Sequence, residues 1–267
     1  MEKISFIGCG NMGYAIAKAL STDPNWEITL YSPNEQKTKE KALALSVKAE
    51  DDITKAIKSA DYIVLAVKPQ ILPSLYETLR LWGKDKTFIS IAAGISLATL
   101  EDALATKKVI RYMPNLAASE KASVTAITYS EELDEALKTK AYQIASAFGS
   151  AFYLPESQFK AFIGISGSAI AYVFEFLHAL ALGGTKAGIA YPTSLAIATD
   201  TLNSAVALEK ASKANPIELM SKVCSAGGTT IDGIEALAEG KFDSTVINAV
   251  MAAVNKNILL EKAQEKK

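Results

Sequence analysis

The 267-residue sequence is poor in the residues that build disulfide frameworks, metal centres and phosphate-tracking surfaces. It has two cysteines, Cys9 and Cys224, and one histidine, His178. Two distant cysteines form no disulfide framework, and with a single histidine they offer no zinc spacing, so no metal ligand is expected. Arginine occurs only at Arg80 and Arg111, and the formal net charge is −1. That balance lacks the basic footprint of nucleic-acid binding. The opening run MEKISFIGCG enters a strand pattern directly. It has no basic segment leading into an apolar stretch and cleavage site, so the expectation is no secretory signal and a cytoplasmic protein. One apolar run, Ala161 to Leu182, has the length of a bilayer span. It carries Ser166, Ser168, Glu175 and His178, and a mid-span glutamate is costly in hydrocarbon. The expectation is therefore no membrane, and a helix covered on nearly all sides by protein.

Apolar residues make up 49% of the chain and charged residues 21%, which supports a real core. The first half alternates strand and helix patterns. Ile4 to Gly8, Trp26 to Tyr31 and Tyr62 to Val67 read as strands, with Asn11 to Leu20 and Glu35 to Leu45 as helices. Pro69 is expected to open the next helix, and Glu131 to Ala147 to form a later one. This pitch predicts right-handed βαβ units in a doubly wound sheet. After Pro155 the strand patterns stop. Helices are expected over Gln158 to Leu182, with Gly183 and Gly184 as breakers, and over Thr193 to Ala211. Pro216 to Cys224 behind an Asn215 cap, Ile231 to Glu239, and Asp243 onward complete the set. The predicted fold class is α/β, an N-terminal Rossmann-type domain (1–155) followed by an all-helical domain (156–267).

GCGNMG, Gly8 to Gly13, is G-x-G-x-x-G placed after a strand and at a helix start. In that context it marks a dinucleotide site. Gly8 permits the tight turn, Gly10 lets the backbone approach a pyrophosphate, and Gly13 lets helix and strand pack closely. Asn11 and Met12 complete the loop, and the helix N-terminus supplies free N–H groups. Cys9 reads as a small packing residue. The second strand ends in Tyr31-Ser32-Pro33-Asn34, with no carboxylate before Glu35. An NAD-preferring site usually places an acid there for the ribose 2′-hydroxyl. Ser32 or Asn34, with Lys37 a turn away, could bond a 2′-phosphate instead. The cofactor expected is NADPH, with NADH left open. Val67, Lys68 and Pro69 end the long apolar strand, where ligands of such sheets bind, and are further cofactor-site candidates; Lys68 either faces the cofactor or is solvated.

Near the C-terminal end the sequence reads CSAGGTTIDG. Thr229 and Asp232 have the spacing of a capping box. Gly227 and Gly228 then form a turn into a helix, where N–H groups can converge on an anion. The stretch contains no lysine or arginine, which suits a small carboxylate better than a polyphosphate. Thr229 or Thr230 adds a hydroxyl for a nitrogen. An ordinary helix–turn–helix corner accounts for the same composition.

FIGCGNMG, AVKPQ, AAGIS (Ala92 to Ser96), RYMPN (Arg111 to Asn115), SGS followed by AYVF, and SAGGTTIDGIEAL occur in that order. Over nearly the whole chain this resembles the pyrroline-5-carboxylate reductase family. The resemblance implies reduction of a cyclic imine carboxylate to L-proline by NAD(P)H. It implies a helical domain that intertwines with a second subunit, an active site where the two domains meet, and often a ring of dimers. By the same carry-over, Ser225, Gly227, Gly228 and Thr229 hold the substrate carboxylate and Thr230 contacts the ring nitrogen as the catalytic residue. The sequence departs from the family pattern at Ala169 and Ile170 (usually Gly-Pro), at Leu116 and Ala117 (usually Thr-Pro) and at Ala226 (commonly Pro).

Hydride transfer to a protonated imine requires positioning more than a strong general acid. His178, inside an apolar helix, is accordingly expected to be buried and structural. A 3-hydroxyacid dehydrogenase shares the two-part plan, but it uses a lysine on the first interdomain helix, and Gly164 to Leu182 contains none. A reductase of a related cyclic imine, or a non-catalytic NADP-sensing module that kept the fold, is compatible with the same motifs.

Overall fold

The computed structural model of the chain describes residues 1–265, with side chains described through residue 259. Among the described residues its compact units are 1–167 with 256–265, and Ser168–Asn255.

The first unit is built on β1 (Glu2–Ile7), β2 (Trp26–Tyr31), β3 (Lys48–Glu50), β4 (Tyr62–Leu65), β5 (Thr87–Ser90), β6 (Val109–Met113), β7 (Ser123–Tyr129) and β8 (Gly149–Tyr153). They form one sheet in the order β3-β2-β1-β4-β5-β6-β7-β8. All neighbours are parallel except β6 and β7. The order reverses between β1 and β4, and the crevice beyond their carboxyl ends is the ligand position of a doubly wound sheet. The connecting helices are α1 (Asn11–Leu20), α2 (Glu35–Leu45), α3 (Ile53–Lys58), α4 (Tyr76–Trp82), α5 (Leu97–Leu104), α6 (Glu135–Ser146) and the single turn α7 (Phe159–Phe162). β4 and β5 are buried throughout, and β1 and β6 nearly so, because both faces of the sheet centre are covered, whereas the edge strands β3 and β8 are largely exposed. Ile4, Phe6, Leu30, Val64 and Tyr112 belong to one core cluster, and Ile7, Ile63, Leu65, Phe88 and Val109 to the other. Two buried hydroxyls on these strands are paired with backbone carbonyls. Ser5 Oγ donates to the Ala56 carbonyl at 2.7 Å, and Tyr112 Oη to that of Ala141 at 2.6 Å.

The second unit contains α8 (Ala169–Lys186), α9 (Tyr191–Ser212), α10 (Pro216–Val223), α11 (Thr229–Glu239) and most of α12 (Phe242–Glu265). A π-helical turn, Ile163–Gly167, precedes α8. Tyr172 on α8 donates to the Ala249 carbonyl on α12 at 3.1 Å, and the Phe176 ring packs at a tilt against that of Phe242. The only apolar side chains the unit buries among the described residues are Ala181 and Ala198. Phe174, Ile197, Leu208, Val223, Ile247 and Met251 are exposed.

Several element expectations are corrected. The helix after Pro69 does not begin there. Lys68 accepts from Ile71 in a turn, Leu72–Leu75 is 3-10, and only Tyr76 opens α4. Asp134, accepting from the Leu137 N–H at 2.8 Å, starts α6 later than Glu131. Gly183 and Gly184 do not end α8, which runs on to Lys186. Gly184 is a packing residue: a Cβ there would stand 2.1 Å from Ser194 Oγ, which itself bonds the Ala181 carbonyl at 2.7 Å. His178 is exposed in the single chain, with Nδ1 2.9 Å from Tyr191 Oη. The run Glu156–Lys186 is long and apolar enough to cross a bilayer, and it is not covered by its own chain, since 11% of its most apolar stretch is buried.

Gly149 sits at φ +147°, and a Cβ there would lie 2.0 Å from the Ser123 carbonyl oxygen, its register partner in β7. Relief requires parting β7 from β8. Gly149→Ala is therefore expected to destabilise the fold by about 1–3 kcal/mol, read as a lower urea midpoint at unchanged m-value.

Candidate active site

β1 and β4 carry their ends to the switch point. Gly8, at φ +109°, donates its N–H to the Tyr31 carbonyl at 2.8 Å. Its Cα faces the backbone of Ala66 and Val67 so closely that a Cβ would meet Ala66 C and O at 2.6 Å. Gly13 packs the same way from α1, with a Cβ 2.7 Å from the Ala66 Cβ and from the Gly8 carbonyl oxygen. Gly10 differs, because a Cβ there would meet nothing within 4 Å. The spacing thus uses two glycines for packing and leaves the third beside open space. Gly10 is also the N-cap of α1, has no side chain to cap with, and is followed by no acid in the first turn. The first N–H groups of α1, at Asn11, Met12 and Gly13, therefore keep their capacity for an anion. These residues fit a dinucleotide pyrophosphate.

The remaining cofactor candidates fall around this loop. Val67 and Pro69 are half-buried just past β4, and Lys68 is exposed. Ser32 Oγ lies 2.6 Å from Thr38 Oγ1, and Asn34 caps α2 by accepting from the Lys37 N–H at 3.0 Å. Thr38 and Lys41 are contacts that sequence reasoning missed. Lys41 Nζ donates to the carbonyl of Cys9, 32 residues away, and no local pattern announces such a bond. Cys9 is buried, as a packing residue should be, with Sγ 3.5 Å from the Tyr31 carbonyl.

The RYMPN and AAGIS motifs are tied together by a residue the sequence did not flag. Glu156 Oε1 accepts from the guanidinium of buried Arg111 and from the Leu97 N–H at the start of α5. Beside them a cleft of about 330 Å³ is lined in part by Gly94, Ser96 and Phe159. Asn115 Nδ2 reaches Ser166 Oγ at 3.3 Å, which joins RYMPN to SGS. Of the departing residues, Leu116 and Ala226 are exposed, and Ala169 and Ile170 are half-buried in the first turn of α8.

In the second unit, Gly227 takes φ +66° and Gly228 donates its N–H to the Ser225 carbonyl at 3.1 Å. Gly228 is the N-cap of α11, and a Cβ there would lie 2.3 Å from Ser225 Oγ. The expected capping box is absent. The helix starts at Thr229, two residues before Ile231, and no side chain caps it. With no cap, the N–H groups of Thr229, Thr230 and Ile231 stay available to a ligand. Ser225 and Thr229 are exposed, and Thr230 is half-buried in the first turn.

The doubly wound sheet with its glycine loop, followed by a helical unit, is a dinucleotide-binding architecture, and the similar proteins place the chain among NAD(P)H-dependent oxidoreductases. Residues 3–94 match the family described as NADP oxidoreductase, coenzyme F420-dependent, and residues 156–260 match pyrroline-5-carboxylate reductase dimerisation. The chain is 33% identical over 249 residues to pyrroline-5-carboxylate reductase of Aquifex aeolicus (strain VF5), covering 93% of each protein. Among solved structures, the 1-pyrroline-5-carboxylate reductase of Streptococcus pyogenes superposes with a TM-score of 0.84 at 32% identity, covering 96% of this chain and 97% of that one. The Plasmodium falciparum pyrroline carboxylate reductase with NADP bound gives 0.83 at 25% identity, with the same coverage. The chain belongs to the pyrroline-5-carboxylate reductase family. It carries that family's dimerisation domain, and a second copy is the natural cover for the exposed apolar helices of the second unit.

Two expectations follow. Gly10→Ala should leave the melting temperature within about 2 °C, because its Cβ has room in the protein, yet raise the cofactor dissociation constant at least about tenfold; Gly8→Ala should instead lower the melting temperature. Burial pushes the Cys9 thiol up to about 11 from 9.0. The folded state therefore holds this proton more tightly, so stability present below pH 9 falls as pH rises from about 9 to 11. Chemical denaturation across that range, compared with Cys9→Ala, measures it.

Proposed function

We propose that the chain reduces 1-pyrroline-5-carboxylate to L-proline with NADPH, the final step of proline synthesis, as a cytoplasmic homodimer. Residues 1–155 serve as the cofactor domain in this reading, and residues 156–267 as the dimerisation and substrate domain. The observation that carries it is the uncapped start of α11 behind Gly227 and Gly228. This turn offers backbone donors and two threonine hydroxyls, with no lysine or arginine between Cys224 and Ile231. It suits one small carboxylate next to one nitrogen.

In this reading Gly8 shapes the turn, Gly10 lets the pyrophosphate approach, the N–H groups of Asn11, Met12 and Gly13 hold it, and Ser32, Asn34, Val67, Lys68 and Pro69 line the rest of the cofactor. When bound, the dihydronicotinamide supplies a hydride. Ser225, Gly227, Gly228 and Thr229 bind the substrate carboxylate and fix the ring's orientation. Thr230 Oγ1 accepts from the N–H of the protonated imine, which holds the proton on nitrogen while carbon gains the hydride. The C=N π electrons settle on nitrogen, the iminium charge is discharged, and the product is the secondary amine. Such positioning supplies most of the required acceleration, because reacting atoms must be held about 3–3.5 Å apart.

The experiment is NADPH oxidation followed at steady state on adding pyrroline-5-carboxylate. Turnover by the wild type is expected. Binding of NADPH without turnover would favour a nucleotide-sensing module. Thr230→Ala should lower kcat by about 10²-fold or more while the NADPH dissociation constant changes less than about threefold. Unchanged kcat would remove Thr230 from the mechanism.

A further inference from the structure

The end of β2 is the part of a βαβ dinucleotide site that faces the adenosine ribose. Its two polar residues are used locally. Ser32 is bonded to Thr38, and the Asn34 side-chain oxygen caps α2, leaving Asn34 only its amide NH₂ to offer. A different side chain of α2 enters the site. Lys41, one helical turn beyond Lys37, lays its ammonium against the Cys9 carbonyl, inside the glycine loop. The same nitrogen lies 5.1 Å from the centre of the Tyr14 ring on α1. Cys9 Sγ touches the Tyr31 carbonyl, so a cation anchored at Cys9 stands where the loop meets the end of β2.

Lys41 is half-buried, and none of the ion pairs among the described residues includes it. The nearby acids are engaged elsewhere: Glu35 with Lys39, and Glu40 with Gln36. An ammonium has three donors, and the Cys9 carbonyl takes one. A half-buried cation with spare donors and no carboxylate is a place for an anion.

We infer that Lys41 is a specificity-determining residue: its ammonium binds the 2′-phosphate of the adenosine ribose and thereby selects NADPH over NADH. A neutral 2′-hydroxyl offers Lys41 no charge to pair with, whereas a phosphate monoester carries nearly two negative charges near neutral pH. The inference rests on the nicotinamide dinucleotide site proposed above and assigns the feature that chooses between its two forms.

The test measures dissociation constants of NADPH and NADH by calorimetry, without substrate. It uses the full-length wild type, Lys41→Met, Lys41→Gln and Lys41→Arg. Lys41→Gln keeps a donor for Cys9 and removes the charge, so it separates loop support from phosphate recognition. Lys41→Met and Lys41→Gln should each weaken NADPH about 10- to 100-fold and leave NADH within about twofold, and Lys41→Arg should keep most of the NADPH affinity. Equal losses for both cofactors would overturn the inference and reduce Lys41 to a loop support. Unchanged NADPH binding in Lys41→Gln would overturn it outright. Because these ratios are read without turnover, failure of the wild type to oxidise NADPH with pyrroline-5-carboxylate would strike the reductase reading alone.

Discussion

Much of the cofactor end depends on one contact between two stretches of backbone. Gly8 leaves β1 at a positive φ and presses against Ala66 and Val67 as they leave β4, with no space for even a methyl group between them. That approach sets the crevice at the point where the strand order reverses. It also sets the height of α1, since Gly13 must come down onto the same Ala66. A side chain at either position would lift the helix and move its free N–H groups away from where a pyrophosphate has to sit. The binding energy of such a site comes from backbone dipoles, which cannot reorient one at a time, so its precision is inherited from packing.

The second unit depends on a different constraint, the lack of a core of its own. Five helices with two buried apolar side chains among the described residues, both alanine, gain little from folding in isolation. Small residues let α8 and α9 approach closely, as Gly184 against Ser194 shows, but close approach of two helices leaves their outer faces in water. Phe174, Ile197 and Leu208 are the sort of exposed residues that a subunit interface covers. The match of residues 156–260 to a dimerisation domain and the exposure of these side chains are two views of one fact. Ser168–Asn255 is half of a structure.

The strands were legible because burial on both faces writes continuous apolar runs, and the glycine loop because its three glycines have separate steric reasons. Helix boundaries were less legible, since caps compete locally. Asp134 caps α6 in place of the expected Glu131 start, and Gly228 rather than Thr229 is the N-cap of α11, which therefore starts at Thr229 and not at Ile231. The burial of α8 was misjudged for a physical reason: an apolar run records that something covers it and not which chain does so. Lys41 and Glu156 were invisible because their partners lie 32 and 45 residues away, and a charged residue in a helix or after a proline reads as solvated surface until its partner is in view.

In the proposed reading the two ligand cradles use charge differently, and the difference has a physical logic. At the α11 turn, a fixed cation would raise the cost of the cationic iminium just where its proton has to be kept. Neutral donors to the carboxylate avoid this, and a threonine hydroxyl can accept from the ring N–H without adding charge. No such conflict exists at the ribose, where nothing reacts. An ammonium on Lys41 there can strengthen binding without touching the electronics of the C=N bond. On that reading, placing the cation at the handle of the cofactor and keeping the substrate turn free of side-chain cations would let one chain hold two anionic ligands while the reacting carbon stays electrophilic.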